Sequence, residues 1–259
     1  MAIKEIKAAF RTDKARLKKE YKENRRALFE EYNSRVTEYY GSVGGKPKVN
    51  PPRRGLLEEI GNATTHGIGT AFAVVAFILM CLSAGDAMEY LGASIYFAGL
   101  SVMFTMSCLY HALPYGRTVK RLFRRFDYSC IYLLIGATFA PILLCYIGGT
   151  FGLVFFIIQW AVIVTGITLV GVFGPARLRF VHIPLYMLLG WCGIMFLPEM
   201  VMRGDYPFLG FILGGGVIYS LGIIPFALKK RVSHFIWHFF VLAGAVVQWV
   251  GVYITVYLR

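Results

Sequence analysis

The segment Ser233-His-Phe-Ile-Trp-His238 sets two imidazoles four residues apart, directly after the basic run Lys229-Lys-Arg231 and at the start of a long apolar stretch. Residues four apart share one face of a helix. The same spacing recurs in Ser107-Cys-Leu-Tyr-His111, where a hydroxyl and an imidazole can point together. A third polar position, Asp127 in Phe126-Asp127-Tyr128, opens another apolar stretch. Ionisable groups inside membrane helices are costly and mark functional candidates. Three imidazoles with a carboxylate nearby suit Zn²⁺. Catalytic zinc takes three protein ligands and keeps one position for water, whose pKa falls to about 7. Asp127 and Ser107 would then serve the water or support the ligands. The spacing alone leaves a second reading open: helix-end histidines also act as plain hydrogen-bonding groups at a membrane interface, and the nearby arginines disfavour a cation.

Those residues must be positioned by membrane helices. The chain has 259 residues, 57% of them hydrophobic, and a mean hydropathy of +0.60. A soluble domain is about half apolar even with glycine counted. Seven stretches reach the roughly 20 residues needed to cross a hydrocarbon core: 65–84, 91–113, 128–147, 150–173, 180–197, 207–228 and 235–258. The fifth is the shortest, and a hairpin of two half-spans is its alternative. The loops alternate in charge. The tail, the loop with Arg117, Lys120, Arg121, Arg124 and Arg125, the loop with Arg177 and Arg179, and the loop with Lys229, Lys230 and Arg231 are basic. The loops at 85–90, 148–149 and 199–205 are acidic or neutral. The positive-inside rule then predicts an all-α, seven-helix bundle with its N-terminus in the cytosol and its C-terminus outside. In that topology the second span ends, and the third and seventh begin, near the cytosolic face. His111, Asp127, His234 and His238 therefore fall at similar depth.

The formal net charge of +13 is explained by this topology, so no nucleic-acid partner is expected. Residues 1–55 hold 15 of the 27 Lys and Arg. Cys81, Cys108, Cys130, Cys145 and Cys192 form no CxxC pair and read as small buried hydrophobes. The N-terminus has no apolar region of a cleaved signal peptide. Residues 1–40 predict an amphipathic basic helix in the cytosol, with Ile3, Ile6, Phe10, Leu17, Tyr21, Leu28 and Tyr32 on one face. Such a helix could lie on an anionic lipid surface, pair as a coiled coil, or stand solvated. Residues 41–57 predict a linker, around Gly-Gly-Lys-Pro-Lys-Val-Asn-Pro-Pro-Arg-Arg, and residues 58–259 the membrane domain.

Other polar residues carry weaker signals. Glu59, Asn62 and His66 share a face entering the first span and would brace the rim of the site or cap the helix. His182 reads as an interfacial histidine. Gly214-Gly-Gly216 and Gly222 allow close helix packing, and Pro141, Pro184 and Pro225 are expected to kink their helices.

Taken together, these motifs resemble the hemolysin III proteins of the progestin and adipoQ receptor (PAQR) family. Glu58-Glu-Ile-Gly-Asn-Ala-Thr-Thr-His66 is similar to that family's ExxNxxTH, Ser107 to His111 to its SxxxH, and Arg125-Phe-Asp-Tyr128 to its RLDH. Gly190-Trp191, Gly214 to Gly222 and His234 to Gly244 complete the order, so that the resemblance spans residues 56–258. Tyr128 departs from it, standing where bacterial members often carry His. The resemblance implies zinc near the cytosolic face, with ligands at His111, His234 and His238, an acid at Asp127 and a serine at Ser107. Three functions follow from the residues and the resemblance together. The first is a zinc-dependent hydrolase of lipid amides, ceramide-like because the family's eukaryotic receptors are linked to ceramide hydrolysis. The second is a membrane-state sensor with structural zinc. The third is a pore-forming cytolysin. Membrane lipids, with a lipid substrate or ligand in the bundle cavity, are the expected partners, and a bacterial-type plasma membrane the expected location.

Overall fold

A computed structural model describes residues 3–42, 51–228, 230 and 232–258. The chain divides into two compact units, one ending at Val49 and the other starting at Asn50. The first contains helix α1 (Ile3–Ser42), an unbroken helix of 40 residues. Its length follows from composition: no Gly or Pro interrupts it before Gly41, and i,i+4 pairs such as Arg26–Glu30 and Arg35–Glu31 run along its surface. The middle of the expected linker, residues 43–50, lies outside the described residues.

The second unit begins with α2 (Leu56–Ser83) and α3 (Ala87–Ala112). Helix α4 (Thr118–Pro141) runs on as a π-helical segment, Ile142–Ile147, and α5 covers Gly149–Phe173. Helix α6 (Arg179–Trp191) continues through a 3₁₀ stretch, Cys192–Phe196, into α7 (Leu197–Met202). Helix α8 covers Tyr206–Leu228, and α9 (Ser233–Val252) ends in a second π segment, Tyr253–Tyr257. Among the described residues these elements form seven membrane spans, and the protein is an all-helical seven-span bundle. The fifth span is one pass, Arg179–Met202, and not a hairpin. The backbone stays right-handed helical across its 3₁₀ stretch, so the direction never reverses.

Two spans start earlier than their apolar runs predict. Helix α2 begins at Leu56 and α4 at Thr118, each adding polar turns ahead of the hydrophobic stretch. These turns carry Glu59, Asn62 and Lys120. Asp86 caps α3, its carboxylate accepting from the Met88 and Glu89 amides at 2.8 Å. Gly148 (φ 64°) and Gly149 (φ 59°) turn the chain between α4 and α5, where a side chain would strain the left-handed backbone. Pro141 immediately precedes the π segment of α4, consistent with its missing amide donor. Pro184 and Pro225 lie inside α6 and α8.

The core sits around α4 and its π-helical continuation, whose Leu134, Ala137 and Leu143 are buried in one cluster with Tyr96 and Leu100 of α3. Gly99 makes that approach close: a Cβ there would stand 2.9 Å from the Leu133 carbonyl oxygen. Gly222 does the same between α8 and α9, against Trp237. All five cysteines are free, Cys130 fully buried and the others half-buried.

Candidate metal centre

His111 stands one residue before the end of α3, while His234 and His238 occupy the first two turns of α9. The bundle brings them together. One nitrogen from each lies within 4.8 Å of the others. Tetrahedral zinc with N–Zn bonds of about 2.0–2.1 Å asks for nitrogens about 3.4 Å apart, a separation that small ring rotations reach. His111 Nε2, His234 Nε2 and His238 Nδ1 are buried without a hydrogen-bond partner. Orphaned buried acceptors are costly, and a shared cation would satisfy all three. The residues therefore fit a metal ion, which this group could hold.

The other side of His111 is fully engaged. Its Nδ1 lies 2.5 Å from Glu59 Oε2, and the Asn62 side chain packs beside the ring, 3.2 Å from that nitrogen. A carboxylate only accepts, so Nδ1 carries the proton and Nε2 keeps its lone pair for the cluster. Glu59 is itself held by Lys120, whose ammonium donates to Glu59 Oε1 at 3.0 Å and to the Leu113 carbonyl at 2.8 Å. The same ammonium lies 5.0 Å from the Tyr110 ring centroid. Lys120 is 1% exposed. By sequence it counts as one more charge in a basic loop. The structure makes it an internal counter-ion, because α4 starts at Thr118 and turns this residue inward.

Asp127 and Ser107 lie beside one another at the end of a cavity of about 130 Å³ that His66, His234 and His238 also line. The Ser107 hydroxyl is buried. Arg54 and Arg124 lie within electrostatic reach of the Asp127 carboxylate. From there the cavity runs between α4, α6, α8 and α9, past Leu134 and Ile183 to Gln248. Its wall is mostly apolar, with Tyr219, Ser220 and Trp191 among its polar-capable groups.

Three of the residues singled out in the sequence take positions that spacing did not specify. His66 is not at a rim; it is buried, with its ring stacked on His238 at 3.8 Å and edge-on to Phe104 at 5.1 Å. Neither of its nitrogens has a hydrogen-bond partner. His182, expected at the interface, is buried among the helices, with the Tyr132 hydroxyl 3.0 Å from its Nδ1. Tyr128, the departure from the motif, lines the cavity, while its carbonyl accepts from the Tyr186 hydroxyl at 2.8 Å. Lys120 is the participant that sequence reasoning missed. The signal available was its spacing of seven from Asp127, which a helix starting at Thr118 places on the same face.

A family model described as haemolysin-III related matches residues 54–249. Hemolysin-3 of Bacillus cereus is 32% identical over 194 residues, covering 73% of this chain and 88% of that protein. The hemolysin-3 homolog of Bacillus subtilis is 30% identical over 194 residues, with 73% and 90% covered. The human monocyte to macrophage differentiation factor is 27% identical over 206 residues, with 77% and 85% covered.

Proposed function

Since this chain belongs to the haemolysin III family, within the PAQR superfamily, we propose that it is an integral membrane zinc hydrolase acting on lipid amides of the ceramide type. The observation that carries this reading is the convergence of three orphaned imidazole nitrogens with Asp127 and Ser107 at the end of an apolar cavity. His111, His234 and His238 would hold the zinc. When bound, it supplies Lewis acidity and a water of lowered pKa. Asp127 takes the proton from the attacking water and passes it to the departing amine nitrogen. The Ser107 hydroxyl donates to the oxygen that gains charge as the carbonyl is attacked. Glu59 and Lys120 keep His111 in one tautomer and orientation. The apolar walls beyond Leu134 and Ile183 receive an acyl chain and exclude water.

The loop charges support an N-terminus in the cytosol, with this centre close to that face and the C-terminus outside. The two Bacillus relatives support a bacterial-type plasma membrane. The word hemolysin in the name of the Bacillus cereus relative suggests a lytic role for that protein, but the apolar lining of this cavity does not favour an aqueous pore.

One observation favours a second reading, a membrane-state sensor with structural zinc. His66 stacks on His238 with two unpartnered nitrogens, so a ring rotation could close the fourth position.

Asp127→Asn separates the two. An amide cannot accept the proton, so hydrolysis of ceramide analogues in micelles should fall by about 10²–10⁴ at near-normal zinc content. A wild-type chain that hydrolyses neither lipid amides nor lipid esters would leave the sensor. A weak wild-type rate unchanged in Asp127→Asn would point to a contaminant and remove the enzyme reading.

A further inference from the structure

Helix α1 lies outside the stretch that matches the family, and its sequence carries a pattern of its own. Ile6 and Phe10, Leu17 and Tyr21, and Leu28 and Tyr32 form three pairs, each four residues apart and each eleven residues from the next. An eleven-residue repeat is about 3.67 residues per turn, so the stripe stays on one face and winds slightly to the right. Phe10, Leu17, Tyr21, Leu28 and Tyr32 are between 54% and 68% exposed. At about 100° per residue the stripe is roughly 80° wide. That is the width of a coiled-coil seam, and narrower than the face of a helix that buries itself broadly.

The flanks decide what covers it. One side of the stripe carries Lys7, Arg11, Lys14, Lys18, Lys22 and Arg25, without an acidic residue among them. Among the described residues none of these six enters an ion pair. The other side carries Asp13, Glu20 and Glu31. The basic residues nearest this side are tied to its acids, Arg16 to Asp13 at 3.1 Å and Arg35 to Glu31 at 2.8 Å. When two such helices pair in parallel about a two-fold axis, the basic flank of each meets the acidic flank of the other. In an antiparallel pair, basic would meet basic and acidic would meet acidic. Flanking charges of this kind set partner and orientation. The pairs inside α1 are exposed and weak, so they do not prevent re-pairing across an interface. An anionic membrane surface fits less well, because it would repel the flank of Asp13, Glu20 and Glu31.

We infer that α1 is a parallel dimerisation helix whose partner is α1 of a second copy of this chain. Two copies inserted alike carry their α1 segments on the same side of the membrane, each joined to α2 at its C-terminal end. That tethering also suits parallel pairing and raises the effective concentration of one helix for the other.

The test uses the full chain in proteoliposomes. Single cysteines are placed on the stripe (Leu17→Cys, Leu28→Cys) and on the opposite face (Lys19→Cys, Glu30→Cys), and a mild oxidant is added. The unmodified chain, with its own five cysteines, sets the background. Disulfide dimers should form between like positions at 17 and 28, about tenfold faster than at 19 and 30. Equal rates at all four positions, or none above background, would overturn the proposal. So would a 17-to-28 disulfide in a mixture of the two stripe variants, which is the antiparallel outcome. Charge gives a second readout. In the Leu17→Cys background, Lys7→Glu/Lys14→Glu/Lys18→Glu should lose the self-dimer. It should regain a mixed dimer with a Leu17→Cys chain carrying Asp13→Lys/Glu20→Lys/Glu31→Lys. Failure of that rescue counts against parallel pairing. If maleimide modification of Leu17→Cys is slowed by phosphatidylglycerol but not by phosphatidylcholine, and no dimer forms, α1 lies on the membrane and the proposal is wrong.

Discussion

Replacing Lys120 by methionine tests whether a buried counter-ion holds the histidine centre. Methionine keeps most of the length and the apolar stem, and removes the charge together with its N–H donors. In the native chain the ammonium is 1% exposed and bridges Glu59 Oε1 and the Leu113 carbonyl. Lys120→Met strands the Glu59 carboxylate beside His111 and leaves the Leu113 carbonyl without that donor. Breaking a buried pair from one side costs about 3–5 kcal/mol. The Glu59 side chain is still 14% exposed, so water can reach it in part and the lower end, about 3 kcal/mol, is expected. At roughly 2–4 °C per kcal/mol for a chain of this size, the melting temperature should fall by about 6–12 °C. Zinc affinity should fall by about 10–100-fold, the usual effect of losing a group that orients a ligand. The assay is thermal unfolding in detergent with metal content measured on the same preparation. Glu59→Gln/Lys120→Met is the companion, because Gln leaves no stranded charge and its carbonyl can still accept from His111 Nδ1. The double variant should be more stable than Lys120→Met alone by about 1 kcal/mol. An unchanged melting temperature and metal content in Lys120→Met would refute the reasoning, as would a double variant whose loss equals the sum of the two single losses.

His111→Ala, His234→Ala and His238→Ala should each lower bound zinc and thermal stability, since a bound ion adds its binding energy to the fold; normal zinc in all three would end the assignment. Gly99→Ala should destabilise the bundle by about 1–3 kcal/mol, because its methyl meets the Leu133 carbonyl and Ala137, and thermal unfolding checks it. For topology, Ala87→Cys and Met202→Cys should react with an impermeant maleimide from outside intact cells and Thr118→Cys should not; external labelling of Thr118→Cys would overturn the cytosolic placement of the N-terminus.

The number of spans was legible because spanning is a one-dimensional property. A run of apolar residues long enough to cross the bilayer must become a helix to satisfy its own backbone. The spacing of His234 and His238, and of Ser107 and His111, was legible for the same reason: a helix puts residues four apart on one face whatever surrounds it. The extra polar turns were not. A hydropathy reading starts α2 and α4 where the apolar residues start, while the structure starts them at Leu56 and Thr118. Glu59 and Lys120 can complete those turns because each finds a partner from another element. Partners of that kind are decided only by packing. Helices α3 and α9, more than a hundred residues apart in the chain, both pack on α2, and that arrangement puts His111 within reach of His234 and His238. Packing also took His66 from a helix start to the face of His238, and drew His182 inward to the Tyr132 hydroxyl. Lys120 shows the limit most clearly. In sequence it is one of five basic residues between two spans, and those charges obey the same topological rule. Only the tertiary structure separates the one ammonium that lies buried against a carboxylate from its neighbours, because desolvation and pairing depend on what surrounds a group in space.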